Sequence, residues 1–303
     1  FFFTPTTASA IRLSLVGSEM CIRDSYCMRD RMAKSLLSIR GVSKNFAEVE
    51  ALQEISLEIY SGEIVGLVGS NGAGKTTLLR LMAGVYKPSS GTVVLSNGEP
   101  VMNMRHELGV VPESTGLYSR LTAWENIRYH SRMHGVKDSI AWARTEKFAE
   151  HLDMKDSLGR HTKGFSRGMK QKTALLRALA HGPNILLLDE PTAGLDITSA
   201  RTVRALVRQL RDEGGTVIYS THQLAEAQQV CDRIVIIHNG EIRADGPPQH
   251  LLDETGTESL EDAYVSLTMD QARTRKEDNA KESAFTGWWR RLFTPKTPPT
   301  TQE

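Results

Sequence analysis

The chain has 303 residues, 40 % of them hydrophobic, which is ample for one large or two modest domains around a buried core. Thirty-seven basic and 36 acidic residues leave a net charge of +1, without the basic footprint of a dedicated nucleic-acid binder. The longest apolar runs, Ile185 to Leu188 and Ile234 to Ile237, are strand-sized where a membrane span needs roughly 20 apolar residues. Three cysteines, with no CxxC pair and no ligand-like spacing to histidine, indicate neither a disulfide framework nor a zinc site and fit a reducing, cytoplasmic setting.

Residues 1–31 contain no basic residue before Ile11, so the stretch lacks the n-region of a secretory signal. Within it, SLVGSEMCIRDS resembles translated sequencing-adapter read-through, which predicts a native start near Met28 or Met32; the alternative is a disordered leader. From Leu36, LLSIRGVSKNF and ISLEIY are alternating, β-branched segments of strand type, and EIVGLVG is a Gly-bounded core strand. Leucines at helical spacing over Lys75 to Ala83 predict a helix that stops at Gly84, followed by the strand TVVL and a turn at Ser96-Asn97-Gly98. Between about 113 and 182 the pattern turns helical: Thr122 to Glu125 reads as a capping box, Asp138 as the cap of a helix through Leu152, and Ser166 as the start of a helix stopped by Gly182-Pro183. The buried strand ILLLD, a helix capped by Asp196, the strand TVIYS and a hairpin on Asn239-Gly240 complete the order. The prediction is an α/β fold with an antiparallel β subdomain and an α-helical insert, spanning about 34–247.

Gly69 to Thr76 reads GSNGAGKT, the P-loop pattern G-x-x-x-x-G-K-[ST], placed between a strand and a helix as its mechanism requires. In such a loop Gly69, Ser70, Asn71, Gly72, Ala73 and Gly74 bring backbone N–H groups onto phosphate oxygens at a helix N-terminus. Lys75 reaches the β/γ-phosphates, the Thr76 hydroxyl ligates Mg²⁺ and Thr77 adds a phosphate hydrogen bond. Taken alone, the motif also reads as a glycine turn with a surface lysine. Asp189 and Glu190 end a buried strand at the edge where parallel α/β sheets bind ligands: Asp189 is placed to hold the metal, and Glu190 to polarise an attacking water.

With GFSRGMKQK between those motifs, the order and spacing over residues 34–247 resemble the ATP-binding subunits of ABC transporters. The resemblance implies a P-loop NTPase with a RecA-like core, ATP and Mg²⁺ as ligands, and an ATPase at the cytoplasmic face of the membrane, attached peripherally through a separate permease. It also implies pairing with a second, identical or different, cassette. The family's LSGGQ signature appears here as Phe165-Ser166-Arg167-Gly168-Met169: Ser166 and Gly168 match, Phe165, Arg167 and Met169 depart, and the group acts on the partner cassette's ATP. Ala193 to Asp196 resembles the D-loop, and His222 after Ser220-Thr221 sits where the family has its γ-phosphate switch histidine. Phe46 aligns with the aromatic that stacks on adenine, while a core phenylalanine is the other reading. Glu113 stands where most of the family has the Q-loop glutamine, which implies a magnesium and coupling residue with an added charge. That carboxylate, FSRGMKQK and SLEDAYVSLT resemble the sodium-extrusion ATPases and related ABC-2-type exporters. A soluble ABC ATPase and a weakly hydrolysing regulatory module are the rival readings.

Beyond Pro247-Pro248 the expectation is a helical extension over 248–283. Trp288, Trp289, Leu292 and Phe293 beside Arg290 and Arg291 then read either as an interfacial membrane anchor or as a segment packed on protein, before a disordered Pro/Thr-rich end.

Overall fold

The structure, a computed structural model, describes residues 35–269. The leader, the mixed-charge segment 270–282 and the Trp/Arg segment lie outside the described residues.

Strands β1 (Ser35–Phe46), β2 (Val49–Tyr60) and β4 (Ser90–Leu95) form an antiparallel sheet in the order β2-β1-β4. The second sheet runs β5 (Leu108–Val111), β6 (Ile185–Asp189), β7 (Thr216–Thr221), β3 (Ile64–Val68), β8 (Arg233–His238) and β9 (Glu241–Gly246). Its first five strands are parallel, and β9 returns antiparallel beside β8. The turn between them is Asn239-Gly240, both at positive φ (50° and 77°), the backbone that a two-residue hairpin with native twist requires.

Both faces of the second sheet are covered, which is why β3 and the first four residues of β6 read as continuous apolar runs and every residue of β7 is buried. Side chains alternate between the faces. Val65, Leu67, Leu187, Ile218, Val235 and Ile237 join a core with the antiparallel sheet and helix α1 (Lys75–Met82), which buries Leu78, Leu79, Leu81 and Met82. Ile64, Val68, Leu186, Leu188, Val217, Tyr219, Ile234 and Ile236 face the other helices. Burying a leucine fully contributes about 1.5–3 kcal/mol, so these two layers carry the fold.

Those helices are α2 (Ala123–Met133), α3 (Asp138–His151), α4 (Arg167–Leu179), α5 (Ile197–Asp212) and α6 (Leu224–Val230). After β9 come α7 (Pro248–Thr255) and α8 over 260–269. The capping box at Thr122 and Glu125 is complete, Ser166 accepts from the Met169 N–H, and Asp196 accepts from the Ser199 N–H. Asp138 corrects the sequence reading: Lys137 is the N-cap of α3, and Asp138 is its first helical residue. Its carboxylate is taken by the Arg132 guanidinium at 2.5 and 2.8 Å, a bidentate pair that leaves no oxygen turned back to cap the helix. Among the described residues no helix is long and apolar enough to cross a membrane.

Candidate active site

Four parallel strands deliver the predicted residues at one edge of the sheet: β3 runs into the P-loop, β5 leads to Glu113, β6 ends on Asp189 before Glu190, and β7 ends before His222. Strand ends on that side are where open α/β sheets present ligand groups. The loops enclose a cleft of about 640 Å³, within the range of small-ligand sites, lined by Asn71 to Thr77, Glu113, Glu190, Ala193 and His222. Its far wall comes from the β1–β2 hairpin and the β8–β9 turn, through Val49, Gln53 and Gly240.

The P-loop's shape needs glycine. Gly72 and Gly74 take φ of 82° and 112°, and Gly74 is the N-cap of α1, with no side chain satisfying the helix's first N–H groups. Gly69 passes so close to β8 that a Cβ would run into the Ile237 carbonyl. Lys75 is buried, and its Nζ donates to the carbonyls of Gly69 at 2.7 Å and Ser70 at 3.1 Å. Its ammonium stands 3.8 Å from Glu190 Oε1. Burial pulls the Lys75 pKa below its usual value, and Glu190, Asp189 and Glu113 oppose that shift.

Thr76 Oγ1 donates to Asp189 Oδ1 at 3.2 Å. A hydroxyl and a carboxylate side by side, with Glu113 on the same cleft, form a set of hard oxygen donors suited to Mg²⁺. Glu190 holds φ at 50°, a left-handed backbone that costs on the order of 1–3 kcal/mol in a non-glycine residue. Its N–H donates to the Ser220 carbonyl, and its Oε2 accepts from Nδ1 of His222 at 2.9 Å. Lys75, Glu190 and His222 thus form a continuous polar chain across the cleft.

Phe46 is not brought into the cleft, and it is not a core residue either. At 40 % exposure it packs edge-to-face on Tyr86 at 5.3 Å, with Lys44 Nζ 4.9 Å above its ring. The signature also lies apart: none of Ser166, Arg167, Gly168 and Met169 lines the cleft, and Ser166 and Arg167 are exposed. Gly168 lies against Ser199, and the Arg167 guanidinium covers Gly194, so the start of α4 packs beside the D-loop and Asp196.

Two residues escaped the sequence reading. Glu226, 4 % exposed, accepts from Thr192 at 2.8 Å and Thr221 at 3.2 Å and pairs with Arg204 at 3.3 Å. One buried carboxylate therefore ties the loop after Glu190 to the strand end before His222. Tyr264 on α8 accepts the Ser70 N–H at 3.2 Å, so the C-terminal extension touches the P-loop itself. The segment SLEDAYVSLT was visible as a pattern, but no local signal points across the 194 positions that separate the partners.

The family model described as "ABC transporter" matches residues 52–193. The chain is 38 % identical over 239 residues to "ABC transporter ATP-binding protein NatA" of Bacillus subtilis (strain 168), covering 76 % of this chain and 97 % of that protein. It is 34 % identical over 230 residues to "Nod factor export ATP-binding protein I" of Burkholderia lata, covering 74 % of this chain and 75 % of that protein. The solved "Structure of ATP binding subunit of ABC transporter" superposes with a TM-score of 0.72 at 29 % identity, over 77 % of this chain and all of that one.

Proposed function

Because this chain belongs to the ABC transporter ATP-binding proteins, we propose that two cassettes close head to tail around ATP, the P-loop of each facing Ser166 and Gly168 of the other. The chain is the ATP-binding and ATP-hydrolysing subunit of a transporter, and it adopts the P-loop NTPase fold of that family. The single observation that carries the dimer reading is the exposed start of α4, whose capping Ser166 is remote from the cleft of its own chain. A helix start with a serine and a glycine can serve as an anion site, and its place outside its own chain's cleft supports a role toward a nucleotide held by another subunit.

In this reading Lys75 leaves the carbonyls of Gly69 and Ser70 for the β/γ-phosphates, while the backbone from Asn71 to Thr76 surrounds them. Thr76 and Asp189, with Glu113 nearby, would hold Mg²⁺, which would supply positive charge against the phosphates. Glu190 accepts the proton of the attacking water, and His222, hydrogen-bonded to it, reads the γ-phosphate. Phosphoryl transfer to water depends mainly on such positioning and electrostatics. Closure on ATP and reopening after hydrolysis move the helical insert, 113–182, against a separate membrane permease, which locates the chain peripherally at the cytoplasmic face. Export as the direction of transport rests on the resemblance to the sodium-extrusion and ABC-2-type ATPases and on the name of the Nod factor relative. The contacts joining Lys75, Glu190 and His222 weigh against a purely regulatory nucleotide module.

Affinity purification of the full chain from detergent-solubilised membranes tests the assignment of the partner. Recovery of a polytopic membrane protein supports it, and recovery of ribosomal subunits instead supports the soluble ABC ATPase.

A further inference from the structure

His130 and His134 lie one turn apart at the C-terminal end of α2, and His181 follows α4 on the way into β6. One ring nitrogen from each falls within 4.8 Å of the other two. His181 is 7 % exposed, and its Nε2 lies 3.2 Å from the Leu108 carbonyl. A carbonyl only accepts, so Nε2 carries the proton and Nδ1 keeps a bare lone pair. That Nδ1 is buried without a hydrogen-bond partner, as is Nδ1 of His130. Buried polar atoms left unpaired are uncommon, and two of them in one histidine cluster call for a shared explanation.

We propose that His130, His134 and His181 form a binding site for a borderline divalent metal of the zinc and nickel class. The donor set selects that class: imidazole nitrogens suit Zn²⁺ and Ni²⁺, whereas Mg²⁺ and Ca²⁺ take oxygen. The Leu108 carbonyl plays the outer-shell part that metal-bound histidines ordinarily have, fixing tautomer and ring orientation through the other nitrogen. Zn–N bonds of about 2.0–2.1 Å place nitrogens about 3.3 Å apart in a tetrahedron, a contraction of roughly 1.5 Å from the widest spacing here. His134, half-buried at the end of α2, supplies the movement: it lies flat on His181 at 4.1 Å and must turn its ring to aim its nitrogen at the shared point. With three protein ligands and one side toward solvent, the fourth position falls to water.

Two guanidinium groups oppose a cation here. Arg144 donates to the His181 carbonyl at 2.5 Å and Arg177 to the Thr115 carbonyl at 2.8 Å, and both repel charge on the cluster. The site therefore binds more weakly than a four-ligand structural zinc. Since His181 reaches β5 at Leu108, its first residue, the metal clamps the insert helix to the sheet at the end opposite the P-loop.

The test uses the untagged full chain without nucleotide, titrated with ZnCl₂ and NiCl₂ by calorimetry, with Co²⁺ absorption as a probe of nitrogen coordination. The expected result is one equivalent bound, with a thermal midpoint raised by Zn²⁺. His134→Ala, at the more exposed position, should weaken binding by more than about 100-fold, above the usual effect of losing an outer-shell partner. That variant should keep its Mg²⁺-supported ATPase rate when no Zn²⁺ or Ni²⁺ is added, and His151→Ala should leave zinc binding unchanged. Absence of one-equivalent binding, or equal affinity in wild type, His134→Ala and His181→Gln, overturns the proposal.

Discussion

Replacing Glu190 with glutamine removes a proton acceptor and a charge while keeping the side chain's length. Glu190 Oε1 stands 3.8 Å from Lys75 Nζ, and the two side chains are only 12 % and 7 % exposed. At an effective dielectric near 20 that pair attracts by about 4 kcal/mol, an attraction that ATP must displace when Lys75 turns to the phosphates. The same carboxylate also faces the incoming γ-phosphate. Glu190→Gln should therefore bind ATP more tightly, by roughly 10-fold once solvent screening is allowed for. Hydrolysis should fall by about 10²–10⁴-fold, the usual contribution of a positioned general base and equivalent to about 3–5 kcal/mol. Binding is read with a fluorescent ATP analogue and turnover by phosphate release in a single-turnover experiment. A variant that binds ATP no better and turns over at a near-normal rate would refute both the base assignment and the electrostatic reasoning.

Lys75→Ala should weaken ATP binding, because it removes a buried cation from a strongly anionic ligand; unchanged affinity in an equilibrium titration would sink the P-loop role. Tyr264→Phe keeps the ring packed beside His238 but drops one hydrogen bond to the P-loop, worth about 0.5–1.5 kcal/mol, so KM for ATP should rise by roughly 2–10-fold with kcat little changed. Steady-state ATPase kinetics check it, and an unaltered KM would mean that α8 is only packing. Glu113→Gln should lower the magnesium concentration needed for half-maximal hydrolysis, since the wild-type carboxylate adds like charge beside the phosphates. Superimposable magnesium titrations would place Glu113 outside the metal's surroundings.

Much of the fold was legible because its signals are local. The apolar run of β6, the capping box at Thr122 and Glu125, the caps Ser166 and Asp196, and the Asn239-Gly240 turn each depend on residues within a few positions of one another. The P-loop was legible for the same reason: its glycines, Lys75 and Thr76 are contiguous, and strand and helix flank them. What escaped depends on the fold bringing distant residues together. At the shortest range, Asp138 looked like a cap, yet Arg132, six positions earlier and across the turn between α2 and α3, claimed its carboxylate. Phe46 aligned with an adenine-stacking position, but its ring turned onto Tyr86, 40 residues away in sequence and outside the cleft. Glu226 and Tyr264 act through partners that no periodicity links to them. Cysteine spacing carries no sign of the histidine cluster, since His181 joins the His130 and His134 pair only after α4 packs on α2.

The central claim is that each ATP site is shared between two chains, and complementation between two inactive variants tests it most directly. Lys75→Ala disables the P-loop half, and Ser166→Glu places a repelling carboxylate at the exposed start of α4 without touching the P-loop. Each variant alone should be nearly inactive as an ATPase. In an equal mixture, half of the dimers combine one chain of each kind, and each such dimer has one site with both halves intact. The mixture should therefore regain roughly a quarter of the wild-type sites, if the sites act independently. A mixture no more active than its components, or full activity of Ser166→Glu alone, would contradict a site built from two chains.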